Sequence, residues 1–253
     1  MLLSLRCAVI AFAAIPLFVH AQDGTPPAAA PPLLSSAMDS ELFYEVLLGE
    51  LNAGGTDPGA GYSLILDAAR KTDDDRLYQR AVNIALQARS GDAALQAASA
   101  WREARPESRD ANRYVLQILI AMNRIAETAE PLKSALSLAG PRDRPDAIAA
   151  IPRIYARTTD KQLATRVVEQ VLAEDLMRLG TGAAAWTTIG HMRQSAGDAE
   201  GAVEAARRAQ EINPAAEAPV RLALDLMSPK LPQAEALVLA YLEGKPAPEI
   251  RMD

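Results

Sequence analysis

Three consecutive aspartates, Asp73, Asp74 and Asp75, form the densest group of side chains in the sequence that could do chemistry. Carboxylates are ligands of hard cations, but three consecutive side chains point in different directions and do not converge on one ion. The group precedes a helical pattern, where carboxylates satisfy free backbone amides and the helix dipole. We therefore favour helix capping over cation binding, and we predict no metal site and no cofactor.

Other residues with catalytic potential are few. The sequence has no G-x-S-x-G motif, no P-loop, no H-E-x-x-H motif and no cluster of cysteines and histidines. Its two histidines are His20 and His191. Trp101 and Trp186 have the spacing of residues that pack between helices, and we favour packing over ligand stacking. No catalytic residue is assigned, and we predict that the chain is not an enzyme.

Residues 1–21 have the pattern of a secretory signal peptide. Arg6 ends a basic region, Cys7–Val19 is apolar with Pro16 near its end, and small residues precede a cleavage site after Ala21. Leu5 and Arg6 before Cys7 do not fit a lipid-attachment motif. We predict export to the periplasm, with the mature protein free or associated with the envelope. The mature protein would contain no cysteine, so packing alone would stabilise it.

Composition indicates a folded helical protein. Of the 253 residues 49% are hydrophobic but only 4% aromatic, and alanine is abundant. The net charge of −6 argues against non-specific nucleic-acid binding. Residues 22–38 are rich in proline and alanine and are predicted to be a flexible tether. From residue 39 to about 250, helical patterns alternate with short glycine-containing turns, which predicts an all-α fold.

The segment AAWTTIGHMRQSAGDAEGAVEAARRAQEINP carries the clearest internal repeat, and it resembles a tetratricopeptide repeat. Arg193 replaces the usual aromatic residue of that family. The positions that agree with the family are Trp186, Ile189, Gly190, Gly197, Ala202, Ala206, Ala209 and Pro214. The resemblance implies that small residues let two antiparallel helices touch and that the proline ends the second helix.

The same template fits six units, starting near residues 41, 75, 109, 145, 183 and 217. Its first large positions are Tyr44, Tyr78, Asn112, Ile148, Trp186 and Val220. Its small packing positions are Ala60, Ala94, Thr128, Ala164, Ala202 and Ala236. The resemblance therefore implies a right-handed α-solenoid of about six antiparallel helix pairs over residues 39–250.

Three departures from the template carry predictions. Pro131 and Pro152 fall inside expected helices and are predicted to kink them. The longer spacing at Gly140-Pro141 and at residues 179–182 predicts extended connections that could act as hinges. The short tail 246–253 is a poor cap, which suggests a shortened array or coverage of the sixth unit by a partner or a second copy.

In the tetratricopeptide family the first helix of each pair lines a concave groove that receives a peptide or partner helix. The resemblance assigns to this groove Glu45, Gly49, Gln79, Asn83, Arg113, Gln117, Ala149, Arg153, Thr187, His191, Arg221 and Asp225. Arg157 extends the basic centre of this set, which would suit carboxylates or acidic segments. The alternative is that these are solvated helix positions without a ligand. His191 would be a polar groove contact or a structural histidine.

These observations predict a periplasmic scaffold or adaptor that binds other proteins or peptides through this groove. The segment SELFYEVLLGEL also resembles the opening helix of exported repeat adaptors of carboxyl-terminal processing proteases, which would make a periplasmic protease and its substrates the partners. Two alternatives remain open at this point. The repeats could be the regulatory or substrate-binding portion of a larger enzyme, or an assembly factor of the cell envelope.

Overall fold

Side chains that cap free backbone amides set the starts of several helices in residues 39–243, the part of the chain that the computed structural model describes. Asp57, Asp74, Ser108, Asp160 and Asp198 each accept a hydrogen bond from an amide of the following helix, at 2.7–3.2 Å. The capping role predicted for the aspartate group is therefore confirmed for Asp74.

Thirteen α-helices lie within these residues, and no strand is found among them. They are α1 Ser40–Ala53, α2 Pro58–Thr72, α3 Asp75–Gln87, α4 Gly91–Ala104, α5 Arg109–Ala121, α6 Ala129–Leu138, α7 Gly140–Ala149, α8 Ile151–Ile154, α9 Lys161–Leu172, α10 Gly182–Ser195, α11 Ala199–Ile212, α12 Ala218–Leu226 and α13 Pro232–Glu243. Short 3₁₀ turns occur at Ile125–Thr128 and Asp175–Met177. The all-α prediction is confirmed.

The helices follow one another as six pairs, in which α7 and α8 take the place of the first helix of the fourth pair and α9 takes the place of the second. Successive helices pack against each other through most of the array, but α9 packs mainly on α10, α6 and the 3₁₀ turn Ile125–Thr128 instead of on α7 and α8. This is the helix-pair array that the resemblance to the tetratricopeptide family implies. No helix within residues 39–243 is long and apolar enough to cross a membrane. The predicted signal peptide, tether and tail 246–253 lie outside the described residues.

Small residues allow close packing within the pairs. An added Cβ at Gly190 of α10 would meet the side chain of Leu222 and, at 3.3 Å, the carbonyl oxygen of Ala202 on α11. In pair one, a Cβ at Gly61 would lie 2.8 Å from the carbonyl oxygen of Gly49. Interiors packed to this density have no room for a further methyl group, so glycine is required at both contacts.

The packing register follows the template in the middle of the array and differs at both ends. Ala94, Thr128, Ala164 and Ala202 are fully buried, as a small contact position requires. In pair one the buried residue is Gly61, one residue after the predicted Ala60. In pair six Ala234 is buried and the predicted Ala236 is exposed. The predictions for Ala60 and Ala236 are wrong because the helix connections of the terminal pairs differ in length from the template.

The proline predictions have mixed outcomes. Pro131 is the third residue of α6, where its missing N–H would have no partner inside the helix, so the predicted kink is wrong. Pro152 is the second residue of α8, after an interruption at Ala150, so the helix is broken where the proline predicts. Pro145 lies inside α7, which continues through it to Ala149.

A buried ion pair joins α7, at the start of pair four, to the connection that follows α9. The guanidinium of Arg144 on α7 donates two hydrogen bonds of 2.8 Å to the carboxylate of Asp175, which is fully buried, and one of 2.9 Å to the carbonyl oxygen of Leu136. These hydrogen bonds hold the pKa of Asp175 below its usual range, against the opposing effect of burial. The ion pair lies close in sequence to both predicted extended connections, and α7 begins at Gly140, so the first of them is not an extended loop. Their role as hinges stays a prediction.

Arg193 explains a second departure from the template. Its Nε donates to Glu169 on α9 at 2.7 Å, and its Nη1 donates to the carbonyl oxygen of Gly201 on α11 at 3.2 Å. The guanidinium replaces the aromatic ring of the family with polar contacts to two helices. Pair four and pair five are joined by these contacts.

Candidate functional site

A partly apolar cavity of about 380 Å³ lies between the end of α3, the turn to α4, and α5. Both α3 and α5 are first helices of their pairs, so the cavity lies on the face where a groove is predicted. It is lined by Leu86, Arg89, Gly91, Tyr114, Gln117, Ile118, Ala121 and Met122. We call it the α3–α5 cavity.

Tyr114 lies at the edge of this cavity and makes contacts with several neighbouring side chains. Its ring lies 5.8 Å from the ring of Trp101, tilted by 39°, and the indole of Trp101 donates to Asp75 at 2.6 Å. Gln79 of α3 donates to the phenol oxygen of Tyr114 at 3.0 Å. The guanidinium of Arg113 lies 5.6 Å from the centroid of the Tyr114 ring, within cation–π range. Tyr114 is therefore held by pair two and by its own helix before any ligand binds.

Three of the predicted groove residues meet at this site. Gln79 and Arg113 contact Tyr114, and Gln117 lines the α3–α5 cavity one turn further along α5. Asn83 lies one turn after Gln79 on α3 and is half-buried. The middle of the predicted set is thus brought together by α3 and α5.

The remaining predicted residues do not join this cluster. Arg153 lies on α8 and Arg157 in the turn after it, and both are exposed. His191 is half-buried on α10. Arg221 and Asp225 are exposed on α12, and Ala149 is exposed at the end of α7.

Two predicted groove residues are buried instead. Thr187 is only 6% exposed, and its hydroxyl donates to the carbonyl oxygen of Ala183 in its own helix at 2.7 Å. Gly49 is buried against Ile65 of α2. Both predictions follow from a template position that faces a neighbouring helix in this protein, and we leave both residues out of the candidate site. Glu45 is largely covered and accepts from Lys71 at 2.8 Å.

The predicted positive stripe is partly neutralised by carboxylates of the same helices. Arg113 pairs with Asp110 at 2.7 Å, and Arg221 pairs with Glu217 at 3.2 Å. Within residues 39–243, Arg153 and Arg157 have no ion-pair partner. Of the arginines in the predicted stripe, the two without an ion-pair partner therefore lie in pair four.

The chemistry of the α3–α5 cavity is that of binding. Its apolar walls can receive an aliphatic or aromatic side chain, while Gln117 and Arg89 at its edge can hydrogen-bond a peptide backbone. Among the described residues, no group of three or more histidine, cysteine, aspartate or glutamate side chains could hold a metal ion.

The sequence interpretation missed Tyr114, Leu86 and Met122. Tyr114 directly follows Arg113, a template groove position, but the template gives it no role. Leu86 is 44% exposed near the end of α3, where a polar residue would be expected. An apolar residue on the solvent side of an otherwise amphipathic helix is the one signal that could have indicated the cavity.

Comparison with known proteins gives weak similarities. No protein-family model and no curated protein matches this chain. Among solved structures, PilW, described as a widely conserved type IV pilus biogenesis factor, is 16% identical; the alignment covers 81% of this chain and 92% of PilW, with a TM-score of 0.36. MamA is 18% identical, with coverage of 66% and 90% and a TM-score of 0.36. Such TM-scores carry no argument about function, and the description of the fold depends on the helices of this chain.

Proposed function

We propose that this chain is a protein-interaction scaffold that binds a segment of another exported protein in the α3–α5 cavity. The main observation behind this is a preformed, largely apolar cavity between α3 and α5, the first helices of pairs two and three. Tyr114 at its edge is held by Gln79 and Arg113. A rigid site loses little conformational entropy when a ligand binds, so a few contacts can give useful affinity.

The ligand would present one apolar side chain and a hydrogen-bonding backbone. The walls from Leu86, Ile118 and Met122 cover the apolar group, and the exposed amide of Gln117 is free to contact the backbone beside it. This arrangement supports a peptide or a partner helix over a charged small molecule. Specificity would come from the shape of the cavity, since its only charged lining residue is Arg89.

Site-specific photo-crosslinking tests this proposal. A benzophenone amino acid replaces Gln117 in the full chain expressed in cells, and the matched control carries it at Gln170, an exposed glutamine on α9. We expect discrete protein adducts at residue 117 that disappear when Ala121→Arg fills the cavity. Ala121 is exposed, so this variant keeps the wild-type melting temperature. No adduct at residue 117, or equal adducts at both positions, would contradict the proposal.

One observation favours a more specific role for this scaffold, that of an adaptor that binds two different partners. The exposed face of α1 carries Phe43, Tyr44, Leu47 and Leu51, which are 56%, 60%, 43% and 65% exposed. A row of apolar residues at helical spacing on the surface is typical of an interaction site. A crosslinker at Leu47 should then capture a protein different from the one captured at residue 117, and capture of the same protein at both positions would contradict the adaptor role.

The exported location is part of the proposal and has its own measurement. Removal of the leader after Ala21 predicts that the mature protein begins at Gln22. N-terminal sequencing of the protein recovered from the periplasmic fraction should find that residue. A mature protein that keeps Met1 and stays in the cytoplasm would contradict it.

A further inference from the structure

A second cavity lies in pair five, between α10, the end of α11 and the connection that joins α9 to α10. Its volume is about 430 Å³. We call it the Trp186 cavity, and it is lined by Leu176, Met177, Arg178, Leu179, Trp186, Arg207, Arg208, Glu211 and Ile212. None of the predicted groove residues lines it.

Two of its lining residues are exposed in a way that internal packing does not explain. Met177 is 87% exposed and Leu179 is 91% exposed, on either side of Arg178 in one short connection. Large apolar side chains presented together on a loop beside a cavity are typical of a protein-binding surface. Within residues 39–243, no other part of the chain covers these two side chains.

The connection that presents them is held in place. Asp175, two residues before Met177, forms the buried ion pair with Arg144. Thr181, two residues after Leu179, donates its hydroxyl to the carbonyl oxygen of Asp175 at 3.1 Å. The segment between these anchors is therefore ordered before a partner arrives, which reduces the entropy lost on binding.

The charges of the cavity determine the kind of partner. Three arginines and one glutamate line it. The guanidinium of Arg208 lies 4.6 Å from the centroid of the Trp186 ring, which orients it along the cavity wall. Glu204, one turn earlier on α11, accepts from both Arg207 and Arg208 at 2.8 Å and fixes their positions. These bonds lower the pKa of Glu204 to about 2, so it remains ionised.

Arg178, Arg207 and Arg208 keep much of their surface in solvent, with side chains 55%, 52% and 48% exposed. Arg207 pairs with both Glu204 and Glu211, and Arg178 pairs with Glu174 and, at 4.0 Å, with Asp175. Arg208 pairs with Glu204 through Nε, which leaves the N–H groups of its two terminal nitrogens for a ligand, because a guanidinium carries five donors. A partner's carboxylate could therefore form a bidentate pair with Arg208 and a single hydrogen bond with Arg178 without breaking the existing ion pairs.

We propose that the Trp186 cavity binds an acidic peptide segment of another protein, with one apolar side chain inserted against Trp186 and covered by Met177 and Leu179. Carboxylates on either side of that apolar residue pair with Arg178 and Arg208. This is a second binding surface, distinct from the one in the proposed function, and it does not depend on the α3–α5 cavity.

The test uses the full chain and a labelled probe. A fluorescein-labelled dodecapeptide in which aspartate or glutamate alternates with leucine or phenylalanine is titrated with the protein at 150 mM salt and followed by fluorescence anisotropy. We expect saturable binding by the acidic peptide and none by the matched peptide with lysine at every acidic position. Failure of the acidic peptide to bind at millimolar protein overturns the proposal.

Variants assign the binding to this cavity. Arg178→Glu with Arg208→Glu should weaken binding at least tenfold, whereas Arg142→Glu with Arg166→Glu, an equal charge change at exposed arginines elsewhere, should change it less than twofold. Met177→Ser with Leu179→Ser should also weaken it at least tenfold, and these side chains are too exposed for the change to affect folding. Equal losses in the two charge-reversed variants overturn the proposal.

Two further measurements separate the alternatives. Ala121→Arg fills the α3–α5 cavity and should leave binding of the acidic peptide unchanged. The peptide result therefore does not depend on whether the α3–α5 cavity binds a partner. Sedimentation velocity tests a second copy of the chain as the occupant. Self-association that Arg178→Glu with Arg208→Glu abolishes, together with no peptide binding, overturns the proposal and assigns the cavity to contacts between copies.

Discussion

Pairs four and five lie next to each other and are stabilised in different ways. In pair five, α10 and α11 are continuous helices that touch over Gly190 and Ala202. In pair four the first helix is interrupted at Ala150, and its start is tied to the following connection by Arg144 and Asp175. Small side chains are therefore enough where the helices are regular. Where prolines interrupt a helix and the chain changes direction, buried polar contacts hold the backbone.

The largest expected effect comes from breaking the ion pair of pair four. Asp175→Ala leaves the partly buried guanidinium of Arg144 without its carboxylate, and we expect a loss of about 3–5 kcal/mol in the free energy of unfolding. Urea unfolding followed by circular dichroism measures it. The matched control is Glu174→Ala, which removes an exposed partner of Arg178 and should cost less than about 1 kcal/mol. Similar losses in both variants would mean that the buried pair does not stabilise pair four.

A smaller effect is expected from crowding the helix contact of pair five. Gly190→Ala places a methyl group against Leu222 and the carbonyl oxygen of Ala202, and we expect a loss of about 1–3 kcal/mol. The control is Gly180→Ala, because an added Cβ there meets no atom within 4 Å, and it should change stability by less than about 0.5 kcal/mol. If Gly190→Ala is as stable as wild type by thermal unfolding, the close approach is not required.

The smallest expected effect is in the pH dependence of stability, which should differ between pair four and pair five. Because the pKa of Asp175 is lowered in the folded state, its contribution is fully present above the unfolded value of about 3.9 and is lost as pH falls through the folded pKa. The stability difference between wild type and the variant Arg144→Met with Asp175→Leu should therefore stay constant from pH 7 to 5 and change below about pH 4. The difference between wild type and Gly190→Ala should not depend on pH. A constant difference for the first variant down to pH 3 would contradict the assignment.

The regular part of the fold could be predicted from sequence because its determinants are local. A glycine or alanine at a fixed spacing, with aspartate or serine caps between patterns, predicts helix pairs without knowledge of their neighbours. The Arg144–Asp175 pair could not be predicted, since its partners are 31 residues apart and lie in the two segments where the template fails. The shifted contacts at Gly61 and Ala234 were missed because the terminal connections differ in length from the template.

The candidate site shows the same division. The resemblance to the tetratricopeptide family indicated Gln79, Arg113 and Gln117. Gln117 lines the α3–α5 cavity, and the other two contact Tyr114 at its edge. The resemblance did not indicate Tyr114, whose position depends on Trp101 from the preceding pair. It placed Thr187 in the groove, although the packing around α10 buries this residue. Position along a repeat is thus predictable, whereas exposure depends on how neighbouring pairs pack.

Arg193 determines which parts of the array can open separately. Its guanidinium contacts Glu169 on α9 and the backbone of α11, so a local opening of pair five would also remove a contact from the last helix of pair four. In native-state hydrogen exchange these helices would then behave as one cooperative unit, with shared protection across the boundary between repeats. The arginine that replaces the family's aromatic ring would thus set the size of a foldon as well as fill a position.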